Sequence, residues 1–190
     1  MQLGRIYYPL QSLGPGERLG IWTRGCSKHC PGCASEDLWD TSPGSDYTAD
    51  ALFSLARDFF RDNKPDGITI SGGEPMDQFD ELMELLSLFR LITSDILVYT
   101  GYTLQELEAM LSDSQFAEMK KNIGVLIDGR YVESLNSGSI IKGSDNQNII
   151  FFDENLRPRY EAYISSRSAR ELQNVFISDR VHSFGIPNRE

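Results

Sequence analysis

The stretch LGIWTRGCSKHCPGC, Leu19–Cys33, places an apolar strand pattern directly before three cysteines. Cys26, Cys30 and Cys33 are the only cysteines of the 190-residue chain, and their spacing is C-x3-C-x2-C. An odd number of cysteines within eight residues cannot form a disulfide framework, whereas thiolates at short spacings on one loop can bind a common metal centre. We therefore predict that the three cysteines are metal ligands at the end of a strand.

The number of cysteines favours an iron–sulfur cluster over zinc. A four-iron cluster normally takes four thiolates, so three leave one iron open to a small molecule. Gly25 and Gly32 let the backbone wrap closely around a bulky cluster, and Pro31 stiffens the loop. The alternative is a zinc-stabilised binding module that uses His29 as the fourth ligand, although short zinc motifs usually bring a second ligand pair from elsewhere. His182, the other histidine, is expected to be a surface or packing residue.

Outward from this stretch, short apolar runs alternate with helical patterns, which is typical of βα units and a mostly parallel sheet. The predicted strands are Leu19–Thr23, Gly67–Ser71, Ile96–Thr100, Ile123–Ile127 and Asn148–Phe152. Right-handed crossovers between them would give a doubly wound sheet or a partial barrel, with sites at the carboxyl ends of the strands. We expect an α/β fold whose mostly parallel sheet forms a partial (β/α) barrel.

Segments with helical periodicity lie between these strands. Apolar residues recur at helical spacing over Ala51–Phe60, behind the N-cap residue Thr48, and again over Phe79–Phe89. A third helix is predicted to begin at Thr103, where Glu106 stands three residues on, as in a capping box.

The chain is expected to be one domain with a core over residues 1–152 and a C-terminal extension over residues 153–190. The extension is rich in Arg and Ser. Its sequence pattern predicts an appended helix and an edge strand at Asn174–Ser178. Its end, Ser183–Glu190, is expected to be loosely held.

A second motif follows the next predicted strand, in the sequence ITISGGEPMDQ over Ile68–Gln78. Gly72 and Gly73 let backbone groups approach a ligand, and Glu74 can accept a hydrogen bond from an ammonium group. Taken alone, GGEP is explained better by a plain strand-to-helix turn than by a ligand site. Its position one βα unit after the cysteine loop favours a site for the α-amino group of a methionine moiety.

Composition excludes several partners. The net charge of −10 repels phosphate backbones and anionic membranes, so we expect no nucleic-acid partner. No apolar run reaches the length of about 20 residues that a membrane helix needs, and the first ten residues lack the order of a secretory signal. We expect a cytoplasmic protein without a membrane partner.

The motifs resemble a known family. The cysteine spacing is similar to that of the radical S-adenosylmethionine superfamily, and GPGERLGIWTRGC, CPGC and LWD resemble the activating enzymes of glycyl radical enzymes. The resemblance is strongest to the activating proteins of anaerobic ribonucleoside-triphosphate reductase. Segments with the same order and similar spacing are Val98–Leu107, Val125–Leu135 and Lys142–Ile150. The resemblance covers Leu3 to about Phe152.

This resemblance implies a radical S-adenosylmethionine oxidoreductase with a [4Fe-4S] cluster on the three cysteines. S-Adenosylmethionine would chelate the open iron and be reductively cleaved, and the resulting 5′-deoxyadenosyl radical would abstract hydrogen from a glycine of the partner reductase. A low-potential donor such as a flavodoxin would supply the electron, and no catalytic side chain beyond the cluster and cofactor is implied. The implied cofactor-binding residues are Gly32, Cys33, Ala34, Gly72, Gly73, Glu74, Thr100 and Gly101.

Two departures from the family pattern leave a second radical enzyme open. Ala34 and Ser35 stand where the family usually has an aromatic residue and then asparagine, and the extension lies outside the resemblance. A small radical enzyme acting on a peptide or a purine-like metabolite is the alternative with the same cofactor.

Overall fold

A six-stranded sheet organises the chain. The computed structural model describes residues 1–177 and 179–188, with Ile177 and Arg180 described by their backbone alone. The strands of the main sheet are β1 (Leu3–Leu10), β2 (Arg18–Thr23), β3 (Gly67–Gly72), β4 (Ile96–Tyr99), β5 (Val125–Asp128) and β6 (Asn148–Phe151). They lie side by side in chain order.

The sheet is mostly parallel and open. The pairs β2–β3, β3–β4 and β4–β5 are parallel, whereas β1 and β6 join antiparallel at the two edges. The predicted strands from β2 to β6 are confirmed to within two residues, and β1 was not predicted. The expected partial barrel is not confirmed, because β1 and β6 remain edge strands within the described part of the chain and the sheet does not close.

Four helices cover one face of the sheet. They are α1 (Ala49–Asn63), α2 (Phe79–Phe89), α3 (Leu104–Met110) and α4 (Asp113–Asn122), and α4 was not predicted. Thr48 caps α1 by accepting from the Ala51 N–H at 3.2 Å, and Thr103 with Glu106 forms the predicted capping box of α3. All four helices pack on the face that carries Ile96 and Val98. None of the described helices combines the length and apolar character that crossing a membrane requires.

The extension folds over the opposite face. Helix α5 (Arg157–Ser165) packs Tyr160 and Tyr163 against Leu97, whose side chain alternates with those of its neighbours across β4. The predicted strand is found as β7 (Gln173–Ile177), with Ser178 outside the described residues. It pairs with β8 (Arg180–Phe184) in a separate hairpin, so the expectation that it would be an edge strand of the main sheet is wrong.

The end of the extension is anchored where the sequence predicted a loose tail. Phe184 is buried and stacks on Tyr7, with ring centroids 4.1 Å apart, and it also contacts Trp22. His182 lies two residues before Phe184 on β8. It is half-buried and its ring is stacked with that of Phe184, so it is a packing residue, as predicted. Arg189 and Glu190 lie outside the described residues.

A buried network around the Arg18–Asp95 ion pair joins the extension, through Tyr160, to the main sheet. The Arg18 guanidinium, 0% exposed, donates to Asp95 Oδ1 at 2.9 Å, and Tyr160 of α5 donates its hydroxyl to the same oxygen at 2.7 Å. Arg18 also donates to Thr69 Oγ1 at 2.7 Å and to the Ile68 carbonyl at 2.8 Å. This network fixes α5 against β2 and β3.

Candidate functional site

The carboxyl ends of the parallel strands open onto a cavity, as the strand-end rule predicts. Its empty space, including the part open to solvent, is about 900 Å³. All three cysteines line it, and so do all the predicted cofactor-binding residues: Gly32, Cys33, Ala34, Gly72, Gly73, Glu74, Thr100 and Gly101. The structure therefore brings together residues that lie up to 75 positions apart, from Cys26 to Gly101.

The cysteine loop is tied at its start to the segment that follows it. The Gly25 N–H donates to the Leu38 carbonyl and the Cys26 N–H donates to the Trp39 carbonyl, both at 2.9 Å. Further along, the Cys33 N–H donates to the Cys30 carbonyl at 3.1 Å, which closes a turn between the second and third cysteines. The loop is thus ordered by its own backbone.

Contacts from the next two βα units hold the middle of the loop. The Asp77 carboxylate accepts from the Ser27 N–H at 2.7 Å, from the Ser27 hydroxyl at 2.9 Å and from the Tyr102 hydroxyl at 2.9 Å. The Lys28 ammonium lies 3.0 Å from the centre of the Tyr102 ring, a cation–π contact. These contacts fix Cys26 and Cys30 relative to the ends of β3 and β4.

Burial affects all three thiols of the cysteine loop. It raises the pKa of each above its ordinary value, while backbone hydrogen bonds from the loop and from Tyr131 oppose the rise. A thiolate at Cys26 would raise the pKa of Cys30 further, and a thiolate at Cys30 would raise that of Cys33. Ligand binding must therefore release the thiol protons, and a cationic metal centre supplies the charge that makes release favourable.

The donor set fits a cluster better than a single ion. Across residues 1–177 and 179–188, no three Cys, His, Asp or Glu side chains are grouped closely enough to hold one metal ion. All three cysteines line one shared cavity, as the ligands of a common cluster must. His29, the fourth ligand of the zinc alternative, stacks on Trp39 with ring centroids 4.8 Å apart.

The indole N–H of Trp39 is a second feature that suits an iron–sulfur cluster. Its Nε1 is buried without a partner at hydrogen-bond distance within the described residues. The same side chain lowers the pKa of Cys33, against the larger effect of burial. Donors beside cluster sulfurs are a usual feature of iron–sulfur sites. The residues present therefore fit a cluster.

Gly72 and Gly73 admit the cysteine loop as well as a ligand. Gly72 has φ +114°, and a Cβ there would lie 2.4 Å from the Thr23 nitrogen. A Cβ on Gly73 would lie 2.1 Å from the Gly25 carbonyl oxygen. The backbone instead makes two ties, from the Gly73 N–H to the Thr23 carbonyl at 2.9 Å and from the Glu74 N–H to the Gly25 carbonyl at 2.8 Å. Sequence reasoning missed this packing role.

Glu74 joins the ends of β3 and β4. Its carboxylate is 1% exposed and accepts from the Thr100 hydroxyl at 2.7 Å, the Gly101 N–H at 2.6 Å and the Met76 N–H at 3.0 Å. Burial raises its pKa to about 7, while these three hydrogen bonds oppose the rise. The acceptance of an ammonium group by Glu74 stays a prediction, and its three protein donors show that it also fixes Thr100 and Gly101.

The raised pKa predicts a pH-dependent stability. A carboxyl whose pKa is higher when folded contributes stability below its unfolded pKa of 4.5, and loses it as the pH rises through about 7. The free energy of unfolding of the wild type, minus that of Glu74→Gln, should fall by about 3 kcal/mol between pH 4.5 and about 8. Urea denaturation of the metal-free proteins measures this difference.

The matched control is Glu106→Gln. Hydrogen bonds from Thr103 lower the pKa of Glu106, so this pair should change in the opposite direction, with the wild type gaining stability as the pH rises. A Glu74 difference that stays constant with pH would contradict the assignment of a raised pKa.

The cavity also has walls that the sequence did not indicate. Tyr131 and Gly143 come from the loop after β5, and Gly185, Ile186 and Pro187 come from the extension. Tyr131 and Gly143 lie in two of the segments that resemble the activating proteins, although they were not predicted as site residues. No motif marks Gly185, Ile186 and Pro187, and long-range contacts alone bring them to the cysteines.

Comparison with known families and proteins agrees with this site. The family model described as a 4Fe-4S single cluster domain matches residues 12–150, which include the three cysteines and the strand ends. Residues 151–190 lie outside this match. An iron–sulfur cluster is thereby supported over a zinc module.

The relatives are reductase-activating proteins. The anaerobic ribonucleoside-triphosphate reductase-activating protein of Escherichia coli strain K12 is 34% identical over 149 residues, covering 74% of this chain and 93% of that protein. The proteins of the same name are 36% identical in Vibrio cholerae, over 74% of this chain and 92% of the relative, and 30% identical in phage T4, over 78% and 93%. At these levels of identity and coverage, this chain belongs to the family of anaerobic ribonucleoside-triphosphate reductase-activating proteins.

Proposed function

We propose that the chain is a radical S-adenosylmethionine activase that generates a glycyl radical on an anaerobic ribonucleoside-triphosphate reductase. The observation that carries this proposal is the single cavity that joins the cysteine loop to Gly72–Glu74 and Thr100–Gly101. Membership of the activating-protein family supports the same reaction and the same partner.

Cys26, Cys30 and Cys33 would hold three irons of a four-iron cluster and leave the fourth for the cofactor. When bound, the reduced cluster supplies the electron that cleaves the sulfonium bond of S-adenosylmethionine to methionine and a 5′-deoxyadenosyl radical. The protein's task is to place the ligands and to keep water from the reaction. The loop ties to Asp77, Tyr102 and Leu38 serve that placement.

The strand ends would bind the amino-acid part of the cofactor. Backbone groups at Gly72, Gly73 and Gly101 border the cavity without side chains in the way. Glu74 holds the ends of β3 and β4 together through its hydrogen bonds with Thr100 and Gly101. Its carboxylate would also place negative charge beside an ammonium group. Binding and orientation are therefore assigned to the backbone, and Glu74 acts as a positioning residue.

The hydrogen donor would be a backbone glycine that the reductase inserts into the cavity mouth. A low-potential protein such as a flavodoxin would deliver the electron. We also propose a cytoplasmic location without nucleic-acid or membrane partners, in keeping with the net charge of −10.

Anaerobic reconstitution tests the proposal. The protein is loaded with iron and sulfide, reduced, and mixed with S-adenosylmethionine and purified reductase. We expect 5′-deoxyadenosine to form and a protein glycyl radical to appear in the electron paramagnetic resonance spectrum. A reductase with alanine at its radical-bearing glycine is the matched control and should give no such signal. 5′-Deoxyadenosine without a glycyl signal would refute the partner assignment, and no cleavage at all would refute the reaction.

A further inference from the structure

The C-terminal extension contributes to the cavity that holds the cysteines. Gly185, Ile186 and Pro187 line it together with Cys33, Ala34 and the strand-end glycines. These three residues lie well beyond residue 150, where the match to the family model ends. The site in this chain thus has a wall that comes from outside the matched region. We call Gly185–Asn188 the C-terminal strap.

The strap is fixed where it leaves β8. Phe184 stacks on Tyr7 and contacts Trp22 at a tilt, and its carbonyl accepts from the Ser12 hydroxyl at 3.0 Å. Gly185 has φ +128°, and a Cβ there would lie 2.7 Å from the Glu171 carbonyl oxygen, so this bend requires glycine. The bend directs the following residues to the cavity.

The far end of the strap is clasped by Arg170, a guanidinium that is 7% exposed. Arg170 donates to Asn188 Oδ1 at 2.7 Å, to the Lys142 carbonyl at 3.3 Å and to Asn136 Oδ1. Asn136 in turn donates to the Pro187 carbonyl at 3.3 Å and to the Tyr131 hydroxyl at 3.1 Å. The strap is therefore held on both sides of Ile186 and Pro187.

The cavity lining combines two kinds of chemistry. Gly72, Thr100 and Gly101 contribute backbone polar groups at the strand ends, and the cysteine loop contributes its thiols. The strap presents Ile186 and Pro187, which are half-buried and carry no polar side-chain atom. Ile186 packs against the apolar cluster of Trp22, Leu38 and Phe184, so its position is set by core packing.

We propose that Ile186 and Pro187 form an apolar wall on which the adenine ring of S-adenosylmethionine packs. This inference rests on the proposed function, because it takes S-adenosylmethionine as the ligand. The charged amino-acid end of that molecule needs polar partners, whereas the flat faces of its purine gain from contact with aliphatic side chains. The strap is thus a specificity-determining part of the cofactor site.

Binding measurements on the cluster-loaded protein test the wall. The variant is Ile186→Ala with Pro187→Ala, and the matched control is Phe176→Ala with Val181→Ala on the outer face of the same hairpin. Those control side chains are 72% and 59% exposed and lie opposite each other across β7 and β8. Isothermal titration uses S-adenosylmethionine and methionine as separate probes, at equal iron content.

We expect the Kd for S-adenosylmethionine to rise about tenfold in the Ile186 and Pro187 variant, which corresponds to losing roughly 60 Å² of apolar contact. The Kd for methionine should stay unchanged, and the outer-face control should match the wild type with both probes. A single Ile186→Ala variant, which disturbs the bend least, should show a rise of about threefold.

Three outcomes contradict the inference in different ways. Unchanged binding of S-adenosylmethionine would show that the adenine does not touch the strap. An equal rise in Kd for S-adenosylmethionine and for methionine would show that the strap shapes the cavity as a whole and does not contact the adenine specifically. A wild-type protein that carries the cluster and fails to bind S-adenosylmethionine would refute the proposed function itself.

Discussion

Replacing Cys30 with alanine is expected to leave the protein without a stable iron–sulfur cluster and to reduce reductase activation to background. The chain has three cysteines in all, so no other thiol can take the place of a lost ligand. A cluster already bound by three thiolates would keep only two, and its irons would be open to water and to loss. Cys26→Ala and Cys33→Ala should have the same effect.

Iron and sulfide per chain after anaerobic reconstitution measure this loss, together with the visible absorbance and the formation of 5′-deoxyadenosine. Ser35→Ala is the control, because Ser35 contacts the Cys33 sulfur through its backbone N–H at 3.4 Å and alanine keeps that donor. Its iron content should equal that of the wild type. Full iron content and cofactor cleavage in any of the three cysteine variants would remove that cysteine from the ligand set.

Replacing Arg18 with methionine is expected to destabilise the fold by about 3–5 kcal/mol. Methionine fills much of the volume but leaves the Asp95 carboxylate buried, with only Tyr160 Oη donating to it and Arg159 Nη1 3.5 Å from its second oxygen. The carbonyl of Ile68 and the hydroxyl of Thr69 lose their donor as well. A buried charge without its partner is the main cost, because burial strips it of water.

Urea denaturation of the metal-free protein measures this cost. The double variant Arg18→Met with Asp95→Asn should recover part of the loss, since the amide carries no charge to leave unpaired. Arg61→Met is the surface control, because Arg61 pairs with Asp58 and Asp62 in solvent and should change stability little. An Arg18 variant as stable as the Arg61 variant would contradict the account of the buried network.

The central strands and the cysteine site could be predicted because their signals are local. Strands β2 to β5 are nearly continuous apolar runs, as expected of a sheet covered on both faces. The rule that sites form at the carboxyl ends of parallel strands then predicts from the sequence alone that Cys26, Glu74 and Gly101 lie together.

The unpredicted elements lack such local patterns. Strand β1 is interrupted by register shifts near Gly4 and Pro9, which break the alternation of buried and exposed residues. Helix α4 is mostly polar and buries few side chains, Met119 among them. Its capping box, Ser112 with Gln115, is a sequence signal that could have identified it.

The extension could be predicted only in outline. Its helix and first strand follow from composition and pattern, whereas its placement depends on contacts across the whole chain. Phe184 meets Tyr7, and Arg170 meets Asn136, over separations that no periodicity reveals. The sequence could not show whether the sheet closes into a barrel, for the same reason. Closure depends on whether the edge strands β1 and β6 pair with each other.

Hydrogen bonds between protein groups fix the cysteine loop, and this has a consequence for damage by oxygen. Ordering a free loop costs about 1–2 kcal/mol per residue in backbone entropy, and here Leu38, Asp77 and Tyr102 meet that cost during folding. We therefore expect a molecule that has lost its cluster to oxygen to keep its ligand loop in shape. Such a molecule should accept new iron and sulfide in place, without unfolding and without fresh synthesis of the chain.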